Sequence, residues 1–100
     1  MRAIYKKPGK AAEIIHIEDT VEALQGAVGG YYEVLHLRDD AAIVCNEEGK
    51  LMGMPFNFGF RGDAIVGPAL FLGVDGESFS DIPKDVEMML MPQLRHCVRR

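Results

Sequence analysis

The side chains best suited to ligand recognition lie in a short stretch between residues 55 and 63. Phe56, Phe58 and Phe60 surround Asn57 and are followed by Arg61. Aromatic faces can stack on a nucleobase, while an amide and a guanidinium read its polar edges or hold a phosphate. Because proline and two glycines punctuate the stretch, it is predicted to be a loop that exposes Asn57 and Arg61. Phe56, Asn57, Phe58 and Arg61 are therefore the candidates for binding a ligand or partner.

The same residues also have a structural interpretation, and it is the favoured one. Phenylalanines in a loop usually pack into the core rather than face solvent. In that case Asn57 would cap the loop and Arg61 would be solvated.

Histidines are the next candidates, since their charge changes near neutral pH. His16 and His36 fall in separate predicted strands, where they could face each other across a sheet. Neither has a cysteine or carboxylate at a metal-ligand spacing, so a structural role is expected for both. His96 lies in a basic C-terminal stretch, where we expect it to be solvated.

Acidic residues and glycines give no motif for a metal or a phosphate. The pairs Asp39-Asp40 and Glu47-Glu48 are typical of turns, and the sequence around Asp75 lacks the regular oxygen ligands of a calcium loop. The glycines match neither G-x-G-x-x-G nor G-x-x-x-x-G-K-[ST]. We therefore expect no metal, no cofactor and no catalytic residue.

Length and charge narrow the class of protein. A chain of 100 residues forms one modest core, and a net charge of −4 disfavours general nucleic-acid binding. Cys45 lies in an apolar run and Cys97 in the basic stretch, so no disulfide framework is indicated. With no signal-like or membrane-spanning segment, a cytoplasmic protein that does not enter membranes is expected. The high apolar content and a methionine-rich helix at 83–91 predict a homodimer.

Periodicity predicts an α+β fold, with a mostly antiparallel sheet of five to six strands and two short helices. The domain is placed at 1–92 and a basic tail at 93–100. The expected helices are 20–28 and 83–91, and the expected strands are 2–6, 13–17, 31–37, 41–45, 51–54 and 65–74.

Two turns are predicted from their glycines. Asn46 and Gly49 would join the strands 41–45 and 51–54 as a hairpin, with Gly49 at positive φ. Asp75 and Gly76 would end the apolar strand 65–74.

Three segments together, LQGAVGGYYEV, CNEEGKLMGMPFN and GPALFLGVDGE, resemble a small domain family of phages, plasmids and bacteria that is known only as a domain of unknown function. The resemblance covers Arg2 to about Met91. It implies an accessory protein of a mobile element, and it assigns no catalytic residue.

These observations favour a non-catalytic binding protein that acts on a host factor or a host defence component. One alternative is a small-ligand binder, such as a protein that binds a signalling nucleotide through residues 56–61. A second alternative is a small enzyme that uses His16 or His36.

Overall fold

One antiparallel sheet organises the computed structural model, which describes residues 1–94. The elements are β1 (Arg2–Lys6), β2 (Glu13–His16), α1 (Val21–Val28), β3 (Tyr32–Arg38), β4 (Ala41–Asn46), β5 (Phe56–Phe60), β6 (Asp63–Val66), β7 (Ala69–Asp75), β8 (Ser78–Ser80) and α2 (Lys84–Leu94). The main sheet has six strands in the order β2-β1-β7-β4-β3, with β8 paired to β7, and β5 and β6 form a separate hairpin. All pairings are antiparallel, which confirms the predicted α+β class.

Both faces of the sheet are covered around β4 and β7. Every residue of β4 and the first five of β7 are buried. One face, here called the helix face, packs against α1 through Leu24 and Val28. The opposite face, here called the hairpin face, is covered by the β5–β6 hairpin and α2. The core therefore has two layers, one on each side of the same pair of strands.

The helix α1 follows its sequence signals. The Thr20 hydroxyl accepts a hydrogen bond of 3.1 Å from the Ala23 amide, as an N-cap does. Gly29, at φ +84°, ends the helix in the left-handed region, and its amide donates to Gln25 O at 2.8 Å. The predicted helix 20–28 is thus confirmed.

The helix α2 extends past Pro92, where the sequence predicted its end. Val86 of this helix is buried in the core. The Arg2 guanidinium donates two hydrogen bonds, of 2.8 and 2.9 Å, to the Glu87 carboxylate. Leu94 O, at the end of the described residues, accepts a hydrogen bond from the Ala12 amide at 2.8 Å. Tertiary contacts therefore outweigh the one helical bond that a proline removes. The rest of the predicted basic tail, residues 95–100, lies outside the described residues.

Two predicted strands are wrong. Residues 51–54 form turns, and β4 pairs with β3 and β7 instead. The apolar segment 65–74 is two strands, because Gly67 at φ +75° turns the chain between β6 and β7.

Glycine at position 73 is required by a close approach of two chain segments. A Cβ atom there would lie 2.1 Å from Asp81 O and 2.6 Å from Ser80 Oγ. Asp81 cannot move freely, because its Oδ1 accepts from the Arg2 amide and the next residue, Ile82, donates to Arg2 O.

We predict that Gly73→Ala lowers the free energy of unfolding by about 2 to 4 kcal/mol, in the range of severe overpacking. Gly59→Ala is the matched control, since it also lies in a strand but its Cβ would meet only Asp63 O at 3.8 Å. Urea unfolding of both variants gives the comparison. Equal stability of the two would contradict the close approach at position 73.

Candidate functional site

Asn57, a candidate for contacting a ligand, is a buried structural residue. It is 2% exposed and lies on a strand rather than in a loop. Its Nδ2 donates to Lys6 O and Gly67 O, each at 2.8 Å, and its Oδ1 accepts from Lys6 Nζ at 3.0 Å. The prediction of an exposed loop at 55–63 is therefore wrong. The β5–β6 register shifts between Phe56 and Phe58, and this bulge at Asn57 accompanies its inward placement.

The three phenylalanines around Asn57 do not form one exposed aromatic surface. Phe58 is half-buried and stacks on Phe71 of the central strand, with ring centroids 5.4 Å apart. Phe60 also packs against the core of the hairpin face. Phe56 alone of the three is exposed, at 56%. The structural interpretation therefore describes Phe58 and Phe60.

Arg61 fastens the hairpin to the edge of the main sheet. Its Nη1 donates to His36 O at 3.1 Å and its Nη2 to Leu37 O at 3.0 Å. Its guanidinium carbon also lies 4.7 Å from the centre of the Phe60 ring. Arg61 has φ +52°, a conformation that favours glycine, and Gly62 follows at +79°. Its guanidinium is thus engaged by the protein itself.

The segment 46–55 is a compact turn held by hydrogen bonds. Asn46 Oδ1 accepts from the Glu48 amide at 2.7 Å, and Asn46 Nδ2 donates to Val28 O at 3.1 Å. Backbone bonds from Met52 to Glu48 and from Met54 to Gly49 close the turn. Asn46 is the last residue of β4, and its side chain holds the turn that follows.

Gly49 serves this turn for a different reason than the sequence suggested. It is absent from the positive-φ positions among the described residues. A Cβ atom there would lie 2.9 Å from Val66 Cγ2, so the constraint is contact with β6.

The turn at Asp75 and Gly76 agrees with its prediction. Asp75 pairs with Ser78, and Gly76 at φ +66° occupies the first position of a two-residue hairpin loop.

Three large apolar side chains are exposed on the compact turn and at the start of β5, and together we call them the turn surface. It consists of Leu51 at 88% exposure, Met52 at 56% and Phe56. The predicted strand 51–54 includes Leu51 and Met52, so the sequence did not indicate that they are exposed on a turn. A signal was present nonetheless, since two large apolar residues directly follow the polar turn sequence Glu-Glu-Gly-Lys.

A cleft of about 160 Å³ lies between the turn and the β3 edge of the sheet. Its charged lining residues are Glu33, Glu47, Lys50 and Asp63, and Lys50 Nζ pairs with Asp63 Oδ1 at 2.6 Å. This pair lowers the pKa of the Asp63 carboxyl. Three carboxylates thus face one ammonium, so the cleft carries an excess of negative charge.

The histidines do not form a site together. His16 is on β2 and His36 on β3, which are the two opposite edges of the main sheet. They cannot face each other, as the sequence had suggested. Residues 1–94 contain no group of three or more acidic, cysteine or histidine side chains placed to hold a metal. Their helices are also too short and polar to cross a membrane.

A comparison with family models gives one match, to a domain of unknown function (DUF3846), over residues 1–94. The chain belongs to this family. The match confirms the resemblance drawn from the sequence. No curated protein and no solved structure matches the chain.

In this DUF3846 domain, the residues that carried the resemblance have structural tasks. Asn57 joins the hairpin to β1, and Asn46 joins the turn to α1. The exposed groups beside them, on the turn surface and along the cleft, are the ones open to a partner.

We predict that Asn57→Ala lowers the free energy of unfolding by about 2 to 4 kcal/mol. The change leaves two buried carbonyls and the Lys6 ammonium without the amide, and each such loss costs about 1 to 3 kcal/mol. Phe56→Ala is the control, because its side chain is exposed. Chemical unfolding that shows equal stability for the two variants would contradict the structural role of Asn57.

Cys45 lines the acidic cleft between the turn and the β3 edge, and it is the side chain there that could act as a nucleophile. Burial raises the pKa of its thiol to about 11, and the charge of Glu33 adds to the rise. The thiolate is the reactive form. The neutral thiol is therefore the form present in the folded protein near neutral pH.

In a Cys97→Ser variant we predict that iodoacetamide alkylates Cys45 at pH 7.5 about a hundred-fold more slowly than a free cysteine, in line with the smaller thiolate fraction. The rate should rise with pH as the thiolate forms. Because folding raises the pKa of this thiol, its contribution to the free energy of unfolding should be fully present below the usual pKa of 9.0 and be lost as the pH rises toward 11. Mass spectrometry follows the rate, and rapid alkylation of the folded protein at pH 7.5 would mark Cys45 as reactive.

Proposed function

We propose that this chain is a non-catalytic binding protein of a phage or other mobile element, and that it captures a host protein in the cytoplasm. The turn surface is the observation that carries the proposal. Leu51 and Met52 stand exposed on a turn fixed by its own hydrogen bonds, and Phe56 is exposed at the start of the strand that follows. A rigid apolar anchor of this kind is typical of protein interfaces, because little conformational freedom is lost on binding.

The charges near the turn surface favour a partner with a basic rim. Glu47 and Glu48 are exposed on the same turn, and Glu33 lies across the adjoining cleft. Lys50 is already paired with Asp63. Complementary charge around an apolar centre would orient such a partner and speed its association.

The two alternatives keep less support. Nucleotide binding through residues 56–61 relied on exposed rings and free polar groups, whereas Asn57 and Phe58 pack inside the protein and Arg61 binds two carbonyls. The small enzyme that uses His16 or His36 stays a prediction, and any such site would contain one of these histidines alone, because they lie on opposite edges of the main sheet. Homodimerisation remains a prediction, and Met88 and Met89 are exposed on α2 as it requires.

The proposal is tested by replacing Leu51 with a photo-crosslinking phenylalanine analogue in bacterial cells. The same analogue at Glu22, on the exposed side of α1, is the control. A partner crosslinked from position 51 alone is then purified for binding assays.

We predict that Leu51→Ser with Met52→Ser weakens binding of the purified partner at least about ten-fold, since each buried apolar side chain contributes about 1.5 to 3 kcal/mol. The melting temperature should stay unchanged, because both side chains face solvent. Undiminished affinity in the double variant would refute the turn surface as the binding site. A small molecule retained in native mass spectrometry of the parent, in place of a protein, would favour the ligand-binding alternative.

A further inference from the structure

The strand β3 leaves part of the sheet edge open. It is the last strand in the order and pairs with β4 alone. The Glu47 amide donates to Tyr31 O at 2.9 Å, and the register sets Glu33 opposite Cys45 and Leu35 opposite Ile43. Because bonded pairs alternate in an antiparallel ladder, Glu33 and Leu35 are bonded to β4. The backbone N–H and C=O groups of Tyr32, Val34 and His36 therefore point away from the sheet.

Arg61 closes one half of this edge. Its guanidinium occupies the carbonyls of His36 and Leu37, and a bulge follows between His36 and Arg38. Within residues 1–94, no hydrogen bond reaches the outward backbone groups of Tyr32 and Val34. These two residues offer two donors and two acceptors to an added strand.

Depressions lie on both faces beside the open edge. On the hairpin face is the acidic cleft with Glu33 and Leu35. On the helix face lies a groove of about 280 Å³, whose apolar lining side chains are Val34, Val74 and Phe79, beside His36 and Glu77. Successive side chains of a strand point to opposite faces, so an added strand would send alternate residues toward each depression.

We propose that the β3 edge, at Tyr32 and Val34, binds an extended segment of a partner protein in which basic residues alternate with apolar ones. The basic residues would lie beside Glu33, where the cleft has an excess of carboxylates. The apolar residues would lie beside Val34, which is 37% exposed. Strand addition of this kind obtains affinity from the backbone and specificity from alternate side chains.

A second copy of this chain fits the open edge poorly. A two-fold pairing that uses only the open residues sets Tyr32 of each copy opposite Val34 of the other. Glu33 then faces Glu33 at the centre, and like charges directly opposite are destabilising. Centring the pairing on Val34 instead would require the His36 carbonyl that Arg61 already holds.

The test uses a blocked seven-residue peptide that alternates valine and lysine, added to isotopically labelled protein. The amide signals of Tyr32 and Val34 should shift and become protected from hydrogen exchange. A matched peptide that alternates valine and glutamate should bind at least about ten-fold more weakly, as should a valine-lysine peptide N-methylated at alternate residues.

Protein variants locate the site independently. Val34→Pro should weaken the valine-lysine peptide at least about ten-fold, because proline lacks the outward donor but leaves the bonds to β4. His16→Pro is the matched control. His16 lies on β2, at the opposite edge of the sheet, and its backbone N–H also points away from the neighbouring strand. Glu33→Lys should reverse the preference between the two peptides, with Glu13→Lys on β2 as its control. Melting curves establish that each variant is folded.

The open β3 edge and the turn surface are different surfaces, so a partner can bind either one without the other. Met52→Ser with Phe56→Ser, which changes the two side chains of the turn surface that do not line the acidic cleft, should bind the peptide as the parent does. No shift at Tyr32 and Val34 with about 1 mM peptide, shifts confined to the turn surface, or equal binding of the lysine and glutamate peptides would each overturn the proposal. Protection of Val34 that grows with protein concentration alone, without peptide, would assign the edge to a second copy and would also overturn it.

Discussion

The central constraint on this fold is that β4 and β7 bury side chains on both of their faces. A sheet of this kind needs cover on two sides, yet the described chain has only two short helices. The helix α1 covers one face. The helix α2 and the β5–β6 hairpin together cover the opposite face, where Phe58 of the hairpin stacks on Phe71 of β7. The hairpin is thus part of the core.

A hairpin that packs across a sheet brings backbone N–H and C=O groups into the interior. The buried Asn57 forms hydrogen bonds with two such carbonyls. Lys6, 1% exposed, lies on β1 under the hairpin and donates to Asn57 and to Lys7 O. Asn57 in turn satisfies carbonyls on β1 and at Gly67. A buried polar group left unsatisfied is costly, so these partners come as a set. The polar residues that look most like a binding motif therefore serve the fold.

Sequence patterns sufficed for elements formed by neighbours in the chain. The first hairpin, α1 with its Thr20 cap, and the Asp75-Gly76 turn all depend on local signals. Errors arose where a distant segment decides the structure. Strand β4 pairs with β7, from Cys45 with Ala69 to Ala41 with Gly73, which are 24 and 32 residues apart in the chain, and not with residues 51–54. Pro55, Gly59 and Gly62 suggested a loop at 55–63. The local sequence does not reveal that Asn57 binds the carbonyls of Lys6 on β1 and of Gly67 after β6.

The two edges of the sheet are protected differently, and this difference bears on recognition. Strand β2 has four residues, and short edge strands resist unwanted pairing. Strand β3 has seven, and Arg61 occupies carbonyls at its far end. Arg61 holds a left-handed backbone conformation that costs about 1 to 2 kcal/mol in a residue other than glycine, and its two hydrogen bonds and ring contact offset this. The same guanidinium that anchors the hairpin thereby sets how far along β3 another strand can extend.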